Sequence, residues 1–323
     1  MQLDFNRLMQ PVPNGSLFRM DGWYVWCPTV VKGKDGLYHM LFSRWPMSSG
    51  FQGWVTHSEV GYAVAEHPSG PFSFRHVVLQ GSGSGRWDAD VIHNPTMIEY
   101  EGRYYLYYMG NKGDGDWWTH RNNQRIGLAV ADHPSGPWER YDQPLIDVTP
   151  DSWDHLMVSN PTVTRRPDGK MIMVYKGVGE GPLPRGGAVV CGVAVADHPA
   201  GPFRKEGKPI MVNPENDWSV EDPYIWSQHG KLYAIVKDFQ GFFTKTGDSS
   251  VALFESPDGI DWQPSAYPLA FKREIHWADG TVEQVQALER PQLLLDDGEL
   301  VMLYCAVRID PAIESYNVAI PLK

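Results

Sequence analysis

Five short openings decide the fold: Cys27-Pro28-Thr29-Val30-Val31, Asn94-Pro95-Thr96-Met97-Ile98, Asn160-Pro161-Thr162-Val163, Asp222-Pro223-Tyr224-Ile225 and Arg290-Pro291-Gln292-Leu293-Leu294. Subtracting residue numbers, their prolines stand 67, 66, 62 and 68 positions apart. A strand opening that returns at near-constant spacing marks an internal repeat, which governs the reading of everything else. After each opening comes a Gly turn: Asp35-Gly36, Glu101-Gly102, Asp168-Gly169, His229-Gly230 and Asp297-Gly298. Such pairs between apolar runs predict hairpins, because tight turns need positive φ.

A second apolar strand follows each turn, as in Tyr104-Tyr105-Leu106-Tyr107-Tyr108, then a polar loop of variable length and a third strand. Three units end alike, in Glu66-His67-Pro68-Ser69-Gly70-Pro71-Phe72, Asp132-His133-Pro134-Ser135-Gly136-Pro137-Trp138 and Asp197-His198-Pro199-Ala200-Gly201-Pro202-Phe203. The recurring histidines belong to a peripheral turn and are read as a folding feature. A short fourth strand completes the unit. Four strands repeated five times, with no sustained helical period, predict an all-β, five-bladed β-propeller of four-stranded antiparallel blades, filling 1–323 as a single domain. The fifth unit lacks the His-Pro turn, so ring closure is expected to involve the N-terminal segment.

Composition agrees: 13 Trp, 15 Tyr and 12 Phe in 323 residues, with abundant Gly and Pro, suit a turn-rich β protein with ample core. A net charge of −11 argues against nucleic acid, whose phosphates draw clustered Lys and Arg. Cys27, Cys191 and Cys305 are odd in number and far apart, giving neither a disulfide framework nor a zinc site. No metal and no cofactor is expected. No run is long and apolar enough for a membrane span. The opening Met1-Gln2-Leu3-Asp4-Phe5 has no basic segment leading into an apolar one. A cytoplasmic location is expected, although a secreted protein trimmed of its leader would read the same. The oligomeric state is open.

Topology places the chemistry. The residues before each proline crowd one mouth of the central channel: Trp26-Cys27, His93-Asn94, Ser159-Asn160, Glu221-Asp222 and Glu289-Arg290. Loops between second and third strands return to that mouth, bringing Arg44, Trp54, Trp117 and Arg308 among others. Upstream lie Trp87-Asp88, Trp153-Asp154-His155 and His276-Trp277. Facing carboxylates can be driven to different pKa values, giving one acid and one base, and aromatics stack on sugar faces. Glycoside hydrolysis needs that combination. Recurrence of Trp-Asp in two units fits a structural loop role equally well.

On these residues the chain resembles the five-bladed propeller glycosidases, the superfamily of glycoside hydrolase families 43, 62, 32, 68, 117 and 130. Family 43 opens blade one with an Asp-Pro base, blade three with an Asp-Pro pKa modulator, and blade four with a Glu-x-Pro general acid. Glu221-Asp222-Pro223 matches the last; Cys27-Pro28 and Asn160-Pro161 depart from the other two. The resemblance implies Glu221 as general acid, with the base sought among Glu289, Asp222 and Asp88. Trp26, His93, Asn94, Asn160 and Arg290 are expected to hold the terminal sugar, with Asp88 and His155 as further contacts. Relatives like family 117 use a His as acid, which keeps His93, His155 and His276 in view. The expected function is an exo-acting, inverting hydrolase of plant or algal oligosaccharides. A phosphorylase like family 130 would show a cluster of two or three Arg, Lys or His at the mouth; a non-catalytic sugar-binding propeller would have its mouth carboxylates all paired with Arg.

Overall fold

Each X-Pro opening lies inside the innermost strand of a four-stranded antiparallel sheet. In the computed structural model, which describes residues 2–83, 85–310 and 314–323, these inner strands are Trp23–Lys32, Val91–Tyr100, Met157–Arg165, Val220–Gln228 and Ala287–Asp296. Four of the sheets run outward in chain order. In the fifth, the outer strand is Leu17–Phe18, paired antiparallel with Ser315–Pro321 in the register Leu17 to Val318 and Phe18 to Asn317. The N-terminal segment therefore closes the ring, as the missing fifth turn anticipates. Ser315 Oγ reinforces the seam by accepting from Val25 N–H and donating to Val25 C=O, both at 2.9 Å.

The apolar faces meet between blades, not within one central core. Five separate layers of buried residues fill the five inter-blade spaces, for example Ile172, Val174 and Val193 against Ile225, Leu232 and Phe254 between blades three and four. Alternation along each strand serves both neighbours, so strands read as nearly continuous hydrophobic runs. Gly turns close the hairpins in two ways. Glu101-Gly102, His229-Gly230 and Asp297-Gly298 have two successive positive φ values, as the tight turn requires. At Gly36 and Gly169 only the glycine is left-handed, because the loop spans five residues, closed by Gly33 N–H to Leu37 C=O and Arg166 N–H to Lys170 C=O.

The decisive local feature is in the X-Pro itself. Cys27, Asn94, Asn160, Asp222 and Arg290 all have φ between 51° and 55°. At each one the ladder with the second strand slips. The slip is a bulge, and it turns the residue before proline toward the axis. The residue after proline then reaches across to the next blade. Thr29 Oγ accepts from Met97 N–H (3.1 Å), Thr96 Oγ donates to Pro161 C=O (2.7 Å), Thr162 Oγ accepts from Ile225 N–H (3.1 Å), and Tyr224 OH donates to Leu293 C=O (2.9 Å). One motif thus supplies both the axial ring and the inter-blade staples. Replacing the buried Thr162 by Val keeps its shape and leaves Ile225 N–H unpaired. Such a loss costs about 1–3 kcal/mol; urea unfolding of Thr162→Val should show a lower midpoint with an unchanged slope.

Candidate active site

The five left-handed residues join in a belt across the channel. Cys27 Sγ donates to Asn94 Oδ1 (3.0 Å), Asn94 Nδ2 to Asn160 Oδ1 (2.6 Å), and Asn160 Nδ2 to Asp222 Oδ1 (2.5 Å). Arg290 Nη1 reaches the same Asp222 oxygen from the other side at 3.0 Å. Every member is buried. The hydrogen bonds run in one direction and end on a carboxylate, so Asn160 orients Asp222 instead of supplying charge. Burial pushes the Asp222 pKa up against the pull of Arg290, and the neighbouring Glu221 and Glu289 add to the rise. Burial also pushes the Cys27 thiol up to about 12, despite Arg290, which leaves it inert.

Above the belt is a cavity of about 320 Å³, within the range of small-ligand sites. Its walls are of two kinds. From blades one and two come Trp26, Trp45, Phe51, Trp54, Trp117 and His93. His93 stacks on Trp54 at 5.0 Å between centroids, and its Nδ1 lies 2.7 Å from Ser58 Oγ. Burial, with Arg290 and Lys176 adding, holds the His93 pKa well below its ordinary value, so the imidazole is neutral. From blades three to five comes an alternating charged arc. Lys176 Nζ lies 2.6 Å from Glu221 Oε1, while Lys237 Nζ lies 4.0 Å from Glu221 Oε2 and 2.6 Å from Glu289 Oε1. Burial alone would raise the Glu221 pKa, but the two lysine charges outweigh it and hold the carboxyl at about 2.

Of the residues singled out from sequence, Glu221, Asp222, Glu289, Trp26, His93, Asn94, Asn160 and Arg290 meet at this cavity. Asp88 and His155 lie outside its lining. Asp88 is fully buried, accepting from Tyr108 OH (3.0 Å), Ser82 Oγ (3.0 Å) and Arg140 Nη1 (3.1 Å). Asp154 repeats this in blade three, taking Tyr175 OH at 3.0 Å and pairing with Lys205. The Trp of each pair lies against glycines of the second and third strands; a Cβ on Gly192 would come within 2.2 Å of Trp153. Trp-Asp is therefore a buried blade lock, and its recurrence has that cause. His155 sits on a loop beside Asp151 and Glu180, and His276 lies 3.2 Å from Glu274 on a separate small hairpin, Glu274–His276 with Val282–Gln284.

Lys176 and Lys237 were not anticipated from sequence. They stand near the ends of the second strands Met171–Val178 and Lys231–Asp238, opposite Ser159 and Glu221 in the ladders. A lysine in a buried strand is itself a signal, since lysine is seldom buried without a partner. Arg121 and Gln124 are further lining residues brought in by the short helix Trp117–Asn122 and the turn after it, capped by Asp116 accepting from Trp118 and Thr119 N–H.

No family model matches the chain. A curated relative described as a xylosidase/arabinosidase, from Bacteroides ovatus, is 25% identical over 233 residues. That match spans 67% of this chain and 65% of the relative, just under two thirds of the relative's length. Among solved structures, a family 117 glycoside hydrolase from Zobellia galactanivorans superposes with TM-score 0.66 at 17% identity, over 96% of this chain and 86% of that one. A thermostable family-43 glycoside hydrolase gives 0.67 at 15% identity, over 98% and 92%. The fold is thus the five-bladed propeller that these hydrolases share.

The lysine arc makes a prediction about pH. The folded-state pKa of Glu221 lies below its ordinary value, so its contribution to stability is complete above pH ~4.5 and is lost as pH falls toward about 2. Asp222 shifts oppositely, so the two must be read separately. In Lys176→Met the Glu221 carboxyl should titrate at a higher pH than in wild type, followed by carbon NMR of labelled glutamate side chains. An unmoved titration would mean that Lys176 does not set the charge of Glu221.

Proposed function

We propose that the chain is a single catalytic propeller that hydrolyses glycosides, acting on a terminal sugar. One observation carries the reading: two glutamates in a charged arc face an aromatic wall across a cavity of about 320 Å³. The shared fold of family 43 and family 117 hydrolases and the xylosidase/arabinosidase relative support it. A cavity at the small end of the ligand-site range, walled by Trp54 and Trp117, suits one glycone better than a long chain and favours exo action.

We read the two roles in the opposite order to the one the resemblance implies. A general acid must hold a proton near working pH, and Glu221 sits between two lysines that keep it ionised. Glu221 is therefore assigned the base role, and Glu289, the other glutamate lining the cavity, is assigned the acid role by its position. In an inverting step, Glu221 removes a proton from water as the water oxygen bonds to the anomeric carbon. The bond from that carbon to the leaving oxygen breaks, its electron pair stays on the oxygen, and Glu289 supplies the proton. Asp222, oriented by Asn160 and Arg290, holds the floor beneath them. Trp26, His93 and Asn94 bind the glycone.

A second reading is phosphorolysis, favoured by the cations Lys176, Lys237, Arg121, Arg290 and Arg308 at the same mouth. It requires phosphate for turnover. Pairing of all three carboxylates with Lys or Arg favours binding without catalysis, which would appear as ligand affinity with no turnover.

Leaving-group dependence tests the assignment. On arabinosides and xylosides with an alkyl leaving group, Glu289→Gln should lose about 10²–10⁴-fold in kcat/KM, yet stay much closer to wild type on dinitrophenyl glycosides, whose leaving group needs no proton. Glu221→Gln should fail on both. Full activity of both variants would overturn the reading, and strict dependence on added phosphate would replace water by phosphate.

A further inference from the structure

The cavity's unpaired polar atoms are mostly of one kind. Buried without a hydrogen-bond partner are Gln124 Nε2 and Oε1, Trp117 Nε1, Trp218 Nε1, Arg290 Nε and Nη2, and Arg308 Nε. All of these residues line the cavity. Every atom but Gln124 Oε1 is a donor. Buried donors without acceptors are costly, so a set this one-sided is complementary to a ligand rich in acceptors. A neutral sugar hydroxyl both donates and accepts, whereas a carboxylate or phosphate oxygen only accepts.

Charge points the same way. In a chain of net charge −11, the cavity is lined by five Lys or Arg side chains against three carboxylates. Arg290 is committed to Asp222, and Arg121 Nη1 is engaged by Asn122 Oδ1 and Arg185 C=O. Arg308 has no carboxylate or carbonyl partner among the described residues; its guanidinium rests on the Phe51 ring at 4.4 Å. It is the cation with most left to give, on the same blade as the free Nε and Nη2 of Arg290.

We propose that the mouth contains an oxyanion subsite anchored by Arg308 and completed by the free face of Arg290, taking an acceptor-only anion held beside the sugar. This rests on the reading of the cavity as a sugar site and gives its ligand class. Two sources share the chemistry: the carboxylate of a uronic acid glycone, or inorganic phosphate.

Calorimetric titration at fixed ionic strength separates them. Glucuronic and galacturonic acid are compared with glucose and galactose, and inorganic phosphate is titrated alone. A uronic acid binding about tenfold or more tighter than its neutral partner assigns the subsite to a glycone carboxylate, that ratio being the worth of one charge-assisted hydrogen bond. Saturable phosphate binding without that preference assigns it to phosphate. In either case Arg308→Gln should abolish the effect and Arg308→Lys should keep part of it. Equal binding of charged and neutral sugars together with no phosphate binding overturns the proposal, as does an anion preference untouched in a folded Arg308→Gln. The readout is binding, so the two readings fail separately. Uronides held tightly but never cleaved would sink the hydrolase reading alone; neutral glycosides cleaved with no anion preference would sink the subsite alone.

Discussion

The left-handed residue before each proline is the constraint on which the molecule depends. A non-glycine residue at positive φ is uncommon, and such strain costs about 1–3 kcal/mol per position. Here it recurs five times, at Cys27, Asn94, Asn160, Asp222 and Arg290. The strain is offset because each bulge feeds one member into the belt and, in four blades, sends the residue after proline onto the next blade. Asn and Asp tolerate left-handed backbone better than most residues, and three of the five are of that kind.

The same bulge builds the site. The residue two before proline, on the other side of the strand, enters the mouth: Trp26 and His93 on the aromatic side, Glu221 and Glu289 on the charged side. Second-strand lysines then fall into a stagger by one blade. Lys176 of blade three meets Glu221 of blade four, and Lys237 of blade four meets Glu289 of blade five. Repetition of one geometric step thus produces an alternating row of charges, and asymmetry arises because Glu221 is shared by both lysines while Glu289 touches one. Similar carboxylates are thereby given different electrostatic surroundings, the arrangement acid–base catalysis exploits.

Much of the fold was legible because it repeats. The five prolines, the Gly turns and the third strands stand where their spacing puts them, and the missing fifth turn pointed to N-terminal closure. The mouth pairs from Trp26-Cys27 to Glu289-Arg290 were legible for the same reason: the strand order sends them to one end. Asp88 and His155 were less so. A Trp-Asp pair near a strand start has the same composition whether its carboxylate meets a ligand or a neighbouring Tyr and Arg, and only the packing of Trp87 and Asp88 beneath the loop distinguishes them.

What the sequence by itself determined is periodic: the blade count, the strand order, and which residues face the channel, since these follow from local turn chemistry and side-chain alternation. Which groups touch was decided by tertiary structure. Lys176 and Glu221 are 45 positions apart, and Lys237 and Glu289 are 52 apart. Their contact depends on the rotation of one blade against the next, a quantity set by the packing between sheets and carried by no single stretch of chain. The ionisation of Glu221 follows from that rotation, because charge interactions depend on distance in space and not along the backbone.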